Sequence, residues 1–510
     1  MNDNINIIKS FFYKYLIVCS ILEIIFHPEM KNFVGCIVFI YGWWLVEKYV
    51  FKIENIVNFC IPTIIVIGYV IMYFILPIGV TLIECKPVTF KFENPYLTWY
   101  NLFLNITTII LAYHFAYNKN KKNNYLQHIL NKMGYYNIPN HCQIWLLGGV
   151  GMCALIYNIS TQQNDFTFDE MQEFATGGAL ENFISKLEIY SIVPLCLLFN
   201  KYYGDSKVQE NRKIIYIYLS FIFIIAISTT RRSLIAFPIL SIIIIALLFA
   251  IIEGKKLLTK KRTIILVCII YVVTGPMVDL FMAMALNRHN KDSETLFSDI
   301  IELYNDKEKL HSMKELLSAF RGKDETNSST WSEYYVDNIL LDRFCNLRVQ
   351  DATLFYANSL GYDNEKMHKF AKDFVVFRVP TFITNIIGEQ KVVRTSPGDL
   401  FVEEYFHEVN HIGQKVAGDT GIGLYWMGYS YYIFAFFIYF LFFYVLASLS
   451  FVRNGQLILP IFIMSSFASY FMYLVNAIGI FSSIDFLIRT GWQQIIIYCI
   501  FINSTKFVLK

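Results

Sequence analysis

Long uninterrupted apolar runs dominate the chain, and polar positions are confined mostly to the short connections between them. A helix needs about 20 mostly apolar residues to cross the hydrocarbon layer of a membrane. In lipid only helices or closed barrels pair all their backbone groups, and these runs lack the alternation typical of barrel strands. The pattern therefore predicts an all-α integral membrane protein. The twelve predicted transmembrane helices lie near residues 11–27, 33–51, 57–83, 98–117, 144–160, 184–203, 214–229, 234–253, 263–286, 426–450, 456–478 and 491–507.

Residues 287–425 form one polar stretch that is far longer than an ordinary connection. The stretch is not of low complexity, and several of its segments have apolar positions at helical spacing. One such helix must end near Pro380, because the residue before a proline avoids helical geometry. We therefore expect a large, folded, helical extracytoplasmic loop. It divides the chain into transmembrane helices 1–9 (residues 1–286), the loop, and transmembrane helices 10–12 (residues 426–510).

Charged residues are scarce and unevenly distributed: they make up 16% of the chain, whereas 55% is hydrophobic. Basic residues in short connections mark the cytoplasmic side of a membrane protein. With twelve helices, all the basic connections fall on one side. This predicts a multi-pass membrane protein with both termini in the cytoplasm. The basic residues in question are Lys119, Lys121, Lys122, Lys132, Lys207, Arg212, Lys213, Lys255, Lys256, Lys260, Lys261, Arg262, Arg453, Lys506 and Lys510.

The net charge and the cysteines argue against other classes. A formal net charge of +3 is too small to indicate a nucleic-acid partner, and no segment is a basic arm. The ten cysteines are scattered, mostly within apolar runs, with neither a CxxC pair nor a Cys/His cluster. The sequence therefore predicts no disulfide framework, and we expect no cofactor.

Two adjacent arginines, Arg231 and Arg232, lie in the sequence STTRRSL between two apolar runs. The predicted topology places them at the outer face, whereas basic residues are expected mainly in cytoplasmic connections. Arginine at membrane depth is costly and usually contacts protein, water or an anion. Because a guanidinium offers planar, bidentate donors to phosphate oxygens, the pair is a candidate clamp for a diphosphate. The alternative is a pair that only reaches lipid phosphates at the membrane surface.

Further charged residues follow within the loop. Arg343 and Asp351 are eight residues apart, which places them on similar faces of a helix. Arg378, Lys391 and Arg394 come later in the chain. Taken singly, each is typical of a solvated loop charge. Together they form a basic series in a loop that is otherwise acidic.

Glu404, His407 and His411 recur at spacings of three and four, so a helix would place them on one face. The string HEVNH, from His407 to His411, matches the zinc-peptidase pattern in which the intervening glutamate is the general base. Glycines soon after this string do not favour the long helix that such a site needs. The interpretations left open are a zinc peptidase, a general acid or base, and plain polar surface.

The order of these features resembles the Wzy-type O-antigen and oligosaccharide repeat-unit polymerases. Members of that family have ten to fourteen transmembrane helices, a Ser-Arg turn at the outer face and a large periplasmic loop. In this chain a TRRS turn precedes two predicted helices and a long loop. The loop contains Arg343 and Asp351, then Val379-Pro380, then Lys391, and a Gly-rich stretch leads into WMGYSYYIFAF.

The likeness covers roughly residues 228–436, and the motifs differ in detail. The family often has Ile-Pro-Arg, Lys-Pro and Phe-Gly-x-x-Gly in this order. Here Pro380 is followed by threonine, Lys391 is followed by valine, and Gly428 is the one glycine kept in WMGYS. Arg378 is the candidate to replace the arginine after the proline.

The resemblance implies an architecture similar to membrane glycosyltransferases that use lipid-linked sugars. Such polymerases transfer a growing glycan from one undecaprenyl diphosphate to the non-reducing sugar of another lipid-linked repeat unit. The partners implied are the undecaprenyl-diphosphate-linked donor and acceptor, the lipid bilayer and, as a further candidate, a chain-length regulator. The residues expected to bind the diphosphate, without a metal, are Arg231, Arg232, Arg343, Arg378 and Arg394.

The acceptor hydroxyl needs a base, and Asp351, Glu404 and His407 are the candidates. Other functions stay open at this point. An O-antigen ligase uses the same donor, and a flippase or transporter also has about twelve helices, with Asp279 and Asp485 as hints. A membrane zinc peptidase depends on HEVNH alone, and a purely structural membrane component is a further alternative.

Overall fold

Helices make up almost all of the protein, and the computed structural model is 82% helical. Within the described part of the chain, an antiparallel hairpin of Phe451–Arg453 with Gln456–Ile458 is the exception. The prediction of an all-α protein is confirmed at this level. The structure describes residues 2–122, 124–161, 183–184, 186–199, 212–255, 275–287, 295–310, 312–313, 335–336, 338–342, 345–379, 381–391, 396–407, 416–453, 455–475 and 479–508.

The first half of the chain folds into apolar helices joined by short turns. Three of them follow one another without a break between Cys60 and Ile83. The middle one, Ile71–Ile75, is a wider π-helical turn. It lies just before Pro77, whose nitrogen cannot donate a hydrogen bond. The helices of this half are Asn2–Phe26, Met30–Tyr49, Ile53–Asn58, Cys60–Val70, Ile71–Ile75, Leu76–Ile83, Pro95–Lys122, Tyr125–Lys132, His141–Thr161, Glu188–Phe199, Arg212–Ser228 and Ser233–Ile252.

The second half has shorter helices. Three of them, Leu347–Leu360, Thr381–Ile387 and Asp419–Met427, are followed directly by a glycine with positive φ, which ends a helix at little cost. They are Pro276–Leu286, Leu296–Asn305, Ile339–Asp342, Leu347–Leu360, Glu365–Arg378, Thr381–Ile387, Pro397–Phe401, Val402–Phe406, Asp419–Met427, Gly428–Ser430, Tyr431–Ala447, Ile461–Ser465, Phe467–Phe471, Tyr473–Val475, Ile480–Asp485, Phe486–Thr490 and Gly491–Val508.

Five helical stretches among the described residues are long and apolar enough to cross a membrane. Two shorter apolar helices, Glu188–Phe199 and Lys213–Ser228, coincide with further predicted spans. The predicted span 456–478 is not one helix, because a strand and several short helices occupy it. The predicted span 263–286 lies partly outside the described residues. The five stretches are Asn4–Phe26, Cys60–Ile83, His141–Ser160, Ser233–Ile252 and Asp419–Ala447.

Basic connections predicted to share one side meet at one end of the helices. The Ser448 hydroxyl donates to Asn124 Oδ1 at 3.0 Å, which joins the connection after helix Pro95–Lys122 to the region before the hairpin. The Asn137 amide donates to Asn503 Oδ1 at 3.0 Å, which brings the C-terminal helix to the same place. Three of the predicted basic connections therefore lie together.

The polar segment after residue 345 lies at the opposite end. Helix Pro95–Lys122 is about 42 Å long and carries its lysines at the C-terminal end. At its N-terminal end, Asp351 accepts hydrogen bonds from two backbone N–H groups, at 2.6 and 3.2 Å, and from the Thr98 hydroxyl at 2.8 Å. Helix Leu347–Leu360 is therefore anchored at the end far from those lysines.

Helix Leu347–Leu360 is buried along most of its length rather than solvated. It packs against helix Asp419–Met427 through glycines. The Gly418 N–H donates to Thr353 Oγ1 at 2.8 Å, and a Cβ added at Gly421 would lie 2.5 Å from the Thr353 side chain. The Gly-rich stretch thus serves close helix packing, as small residues do in membrane proteins.

Helix Glu365–Arg378 follows after a short turn. Its N-cap, Asn364, accepts a hydrogen bond from the Lys366 N–H, and the Asn364 N–H donates to the Tyr425 carbonyl at 2.8 Å. The helix ends two residues before Pro380, which confirms the predicted stop. Both of its ends are therefore fixed by local sequence.

We expect Gly421→Ala to lower the unfolding temperature of the detergent-purified protein, because the new methyl group would press on Thr353. Overpacking of this kind costs about 1–3 kcal/mol. Gly149→Ala is the control: it adds the same group to helix His141–Thr161, where nothing lies within 4 Å. Thermal unfolding of both variants tests this, and equal unfolding temperatures would contradict the close packing.

Candidate functional site

Charged side chains from separate segments of the chain come together around Asp485. The Nε of Arg378 lies 3.4 Å from Asp485 Oδ1. Lys186, which precedes the Glu188–Phe199 helix, is close enough to Asp485, Arg378 and Arg489 for their charges to change its pKa. Arg489 in turn acts on Lys391. We define the basic cluster as Lys186, Arg378, Lys391, Asp485 and Arg489.

The basic cluster holds four cations and one acid. Within the described part of the chain, Arg378 is the one cation of the four at ion-pair distance from an acid. Burial lowers the pKa of Lys391, with Arg489 contributing. Excess positive charge in a partly buried place favours the binding of an anion.

Aromatic rings hold the Arg378 guanidinium in place. Its Cζ lies 5.0 Å from the centre of the Phe374 ring and 5.7 Å from that of Phe377. Lys391 Nζ lies 5.8 Å from the centre of the Phe377 ring. Such contacts between cations and ring faces orient the cation without neutralising it. The Arg378 side chain is 26% exposed, so a ligand can reach it.

The predicted residue Arg231 pairs with Glu188, in the segment that also contains Lys186 of the cluster. Arg231 Nη1 donates to Glu188 Oε1 at 3.3 Å, and Glu188 follows Lys186 by two residues. The Asn158 amide holds the other oxygen of Glu188 at 2.8 Å. Arg232 is the N-cap of helix Ser233–Ile252, whose positive dipole end adds to the local field. Both carboxylate oxygens of Glu188 thus have a partner, Arg231 and Asn158.

The arginine pair lies far from the N-terminus of the chain. The Asn4 amide donates to the carbonyl of Lys255 at 2.9 Å, just past the C-terminal end of helix Ser233–Ile252. Arg232 is at the other end of that helix, about 30 Å away. The arginine pair and the start of the chain therefore occupy opposite ends of this helix.

Asp351, a predicted base, is an anchor in the structure. It is fully buried, and besides its three hydrogen bonds at the start of helix Pro95–Lys122 it accepts one from Arg348 Nη1 at 3.2 Å. Arg348 Nη2 also contacts Glu93, at 3.2 Å. A carboxylate with four donors and no exposure is poorly placed to take a proton from a substrate. Its catalytic role stays a prediction, and these contacts favour a structural one.

Glu404 and His407 lie away from the basic cluster. Glu404 pairs with Lys366, near the start of the helix whose last residue is Arg378. Arg378 is twelve positions after Lys366 along the helix, a rise of about 18 Å. His407 is exposed and adopts a left-handed conformation, φ 57°, that ends helix Val402–Phe406. The structure therefore does not bring these two candidate bases to the cluster.

The zinc-peptidase pattern needs both of its histidines on one helix. His407 ends a helix instead of lying within one. In the part of the chain that the structure describes, no three metal-ligating side chains come together. Glu408 and His411 lie outside the described residues, as do the predicted diphosphate ligands Arg343 and Arg394.

Sequence reasoning passed over Lys186 and Arg489 and interpreted Asp485 as a hint of transport. A signal was present for Arg489. It lies in FLIRTGW, in a connection that the predicted topology places at the outer face. The argument that singled out Arg231, a cation where the charge rule requires none, applies equally to Arg489. Lys186 has no comparable signal, because a lysine at the end of an apolar run is ordinary.

Fixed cations arranged in this way can bind a ligand with several negative charges and stabilise charge that develops on it. Guanidinium groups suit phosphate oxygens because their donors match the geometry of those oxygens. The aromatic rings that hold Arg378 keep it ready for such a ligand.

Comparisons with protein-family models, with curated proteins and with solved structures found no match for this chain.

We expect the affinity for pyrophosphate to fall as the pH rises toward 10.5, the ordinary pKa of lysine. Lys391 has a lowered pKa, so it loses its charge at a lower pH than an ordinary lysine. Arginine stays charged there, so Lys391→Arg should retain more of the affinity at high pH. Calorimetric titration from neutral pH to about 10 measures this.

Lys369→Arg is the matched control for this titration, because Lys369 is exposed on helix Glu365–Arg378. It should follow the wild type at every pH. The same pH dependence in Lys391→Arg and wild type would show that Lys391 does not contribute to anion binding.

Proposed function

We propose that the protein is a membrane glycosyltransferase. It joins undecaprenyl-diphosphate-linked oligosaccharide repeat units into surface polysaccharide, an O-antigen or a capsule. The observation that supports this proposal is the basic cluster, which contains four cations and one acid. Its position in a helical protein with membrane-spanning helices suits a substrate that has a lipid chain and a polyanionic head group.

The reaction has a clear demand for fixed positive charge. The bond between the anomeric carbon of the donor glycan and a diphosphate oxygen breaks. The acceptor hydroxyl oxygen forms the new glycosidic bond, its proton passes to a base, and the lipid diphosphate leaves. Negative charge grows on the leaving diphosphate, so preorganised cations lower the barrier. In this proposal the cations take the role that a divalent metal has in other phosphate chemistry.

Arg378 and Arg231 are the residues we assign to the diphosphate, with Lys186, Lys391 and Arg489 completing its surroundings. Arg232 is adjacent to Arg231 at a helix N-terminus, which also favours phosphate. Arg343 and Arg394 stay predictions, since they lie outside the described residues.

The base must lie within a few ångströms of the anomeric carbon, and hence near the diphosphate. The separation of about 18 Å between Lys366, the partner of Glu404, and Arg378 does not support Glu404 in this conformation. Glu188 is a further candidate. It is partly exposed and hydrogen-bonded to Arg231. Asp351 acts as an anchor in this proposal, and His407 stays a candidate by sequence alone.

The proposed topology has twelve transmembrane helices in a bacterial inner membrane, both termini in the cytoplasm and the segment 287–425 outside. Two observations support it. The basic connections gather at one end of helix Pro95–Lys122, and Asp351 anchors the polar segment at the other. Likewise, the arginine pair and the start of the first helix, near Asn4, lie at opposite ends of helix Ser233–Ile252.

An O-antigen ligase would use the same donor and the same cluster, so it is the second candidate. Transport has less support. Asp485, which hinted at it, is not an isolated acid but the counter-ion of Arg378.

In cells that carry the protein, we expect Arg378→Ala and Arg231→Ala to shorten surface glycan ladders to a single repeat unit. Removing one preorganised donor slows reactions of this type roughly 100-fold. Glycan chain length on a gel, at equal protein level, is the measurement. Arg378→Lys should recover part of the chain length, because it restores the charge without the planar donors.

Lys369→Ala is the control, since it removes a cation from the exposed face of the same helix. A single repeat unit that still reaches the surface lipid supports a polymerase. Loss of all glycan from that lipid supports a ligase instead. Unchanged ladders in both arginine variants would contradict the proposed site.

A further inference from the structure

Glycosyl transfer needs a base close to the diphosphate, and Asp485 is the one acid of the basic cluster. A base lies about 3 Å from the acceptor oxygen, and that oxygen must come about 3 Å from the anomeric carbon. The base is therefore within roughly 6 Å of a carbon that is bonded to the diphosphate. Asp485 Oδ1 lies 3.4 Å from Arg378 Nε, so a phosphate bound by that guanidinium lies in this range.

One oxygen of the Asp485 carboxylate is held in place. The Thr490 hydroxyl donates to Asp485 Oδ2 at 2.7 Å. This hydrogen bond links helix Ile480–Asp485 to the last residue of helix Phe486–Thr490. Proton transfer depends on the position of the base, so a carboxylate fixed by a neighbour suits this role.

The other oxygen has capacity to accept a further hydrogen bond. Asp485 Oδ1 and Arg378 Nε are both buried, and among the described residues neither has a hydrogen-bond partner. A phosphate that accepts directed hydrogen bonds from the guanidinium binds Arg378 better than Asp485 does. It takes the place of Oδ1, while Thr490 keeps the carboxylate beside the head group. The Asp485 side chain is 17% exposed, so an acceptor hydroxyl can then reach it.

The other candidate acids are less suited to the role. Glu188 has both oxygens bound, one by Arg231 and the other by Asn158, and it must release a partner before it takes a proton. Asp351 is fully buried. Glu404 is bound at the start of the helix that ends at the cluster, and so lies away from the diphosphate.

We propose that Asp485 is the catalytic base of the transfer. This inference rests on the proposed function, because it names a further residue of the same site. The acceptor hydroxyl gives its proton to Asp485 Oδ1 while its oxygen forms the bond to the anomeric carbon. The bond between that carbon and the diphosphate oxygen breaks, and the lipid diphosphate leaves with the electron pair. The carboxyl group then releases its proton to water.

The experiment measures transfer by the purified full-length protein in nanodiscs, with lipid-linked repeat units extracted from cells that lack the protein. Asp485→Asn should lower kcat about 100-fold without raising KM, because the base is lost while the cations that bind the diphosphate stay. Asparagine still accepts the Thr490 hydrogen bond, and thermal unfolding checks that the variant is folded. Asp485→Glu restores a carboxylate and should recover part of the rate.

The pH profile separates a base from a residue that only positions its neighbours. The wild-type rate should fall at acid pH, where the base becomes protonated, and Asp485→Asn should lose this acid limb. Glu188→Gln, the change at the rival acid, should retain it. Glu365→Gln is the control: it removes an exposed acid at the start of helix Glu365–Arg378 and should change neither the rate nor the profile.

Three results would overturn the inference. A raised KM in Asp485→Asn with the acid limb retained would mean that Asp485 only positions Arg378. Loss of the acid limb in Glu188→Gln alone would assign the base to Glu188. A wild-type rate in Asp485→Asn would remove the role of Asp485 and leave the proposed function intact. If wild type transfers no glycan, the proposed function fails together with the inference.

Discussion

The buried contact between Asp351, Arg348 and the start of helix Pro95–Lys122 fixes the polar segment to the membrane helices. Two buried charged groups lose much hydration, and good geometry with further hydrogen bonds is needed to offset that loss. Here the carboxylate has four donors, and Arg348 contacts both Asp351 and Glu93. Breaking such a pair typically costs several kcal/mol, so this end of the segment is firmly placed.

The position of the candidate site follows from that anchor. Helix Leu347–Leu360 packs on Asp419–Met427 through glycines, and Asn364 then ties the next helix to the Tyr425 carbonyl. Helix Glu365–Arg378 therefore starts from a fixed point and delivers Arg378 to Asp485. The two charged regions differ in one physical respect. The Asp351 carboxylate has four donors within the protein, whereas the basic cluster has more cations than acids.

Sequence patterns predicted the features that depend on local physics. Apolar run length gave the helical membrane class, and the stop of helix Glu365–Arg378 followed from Pro380. The charge rule singled out Arg231, which lies beside Glu188 and so near Lys186. The predicted span 456–478 is not one helix, because it contains a strand and several short helices. Apolar composition alone does not show where such a stretch is interrupted.

The remaining features depend on contacts between distant parts of the chain. Asp351 had the sequence context of a loop acid, and nothing local showed that it binds the residues just before a helix some 250 residues earlier. From the sequence, the glycines of the Gly-rich stretch could serve either phosphate binding or close packing. In the structure Gly421 lies directly against Thr353, which favours packing. Asp485 and Arg378 are distant in sequence, so only the fold shows that they form a pair.

The central claim is that the basic cluster is the binding site of a lipid diphosphate. A cryo-electron microscopy structure of the protein in nanodiscs with undecaprenyl diphosphate tests it most directly. The account predicts diphosphate density within hydrogen-bond distance of Arg378, with Lys186 and Arg489 around it and Asp485 no longer beside the guanidinium. Diphosphate density bound elsewhere, with the contact between Arg378 and Asp485 unchanged, would contradict the account.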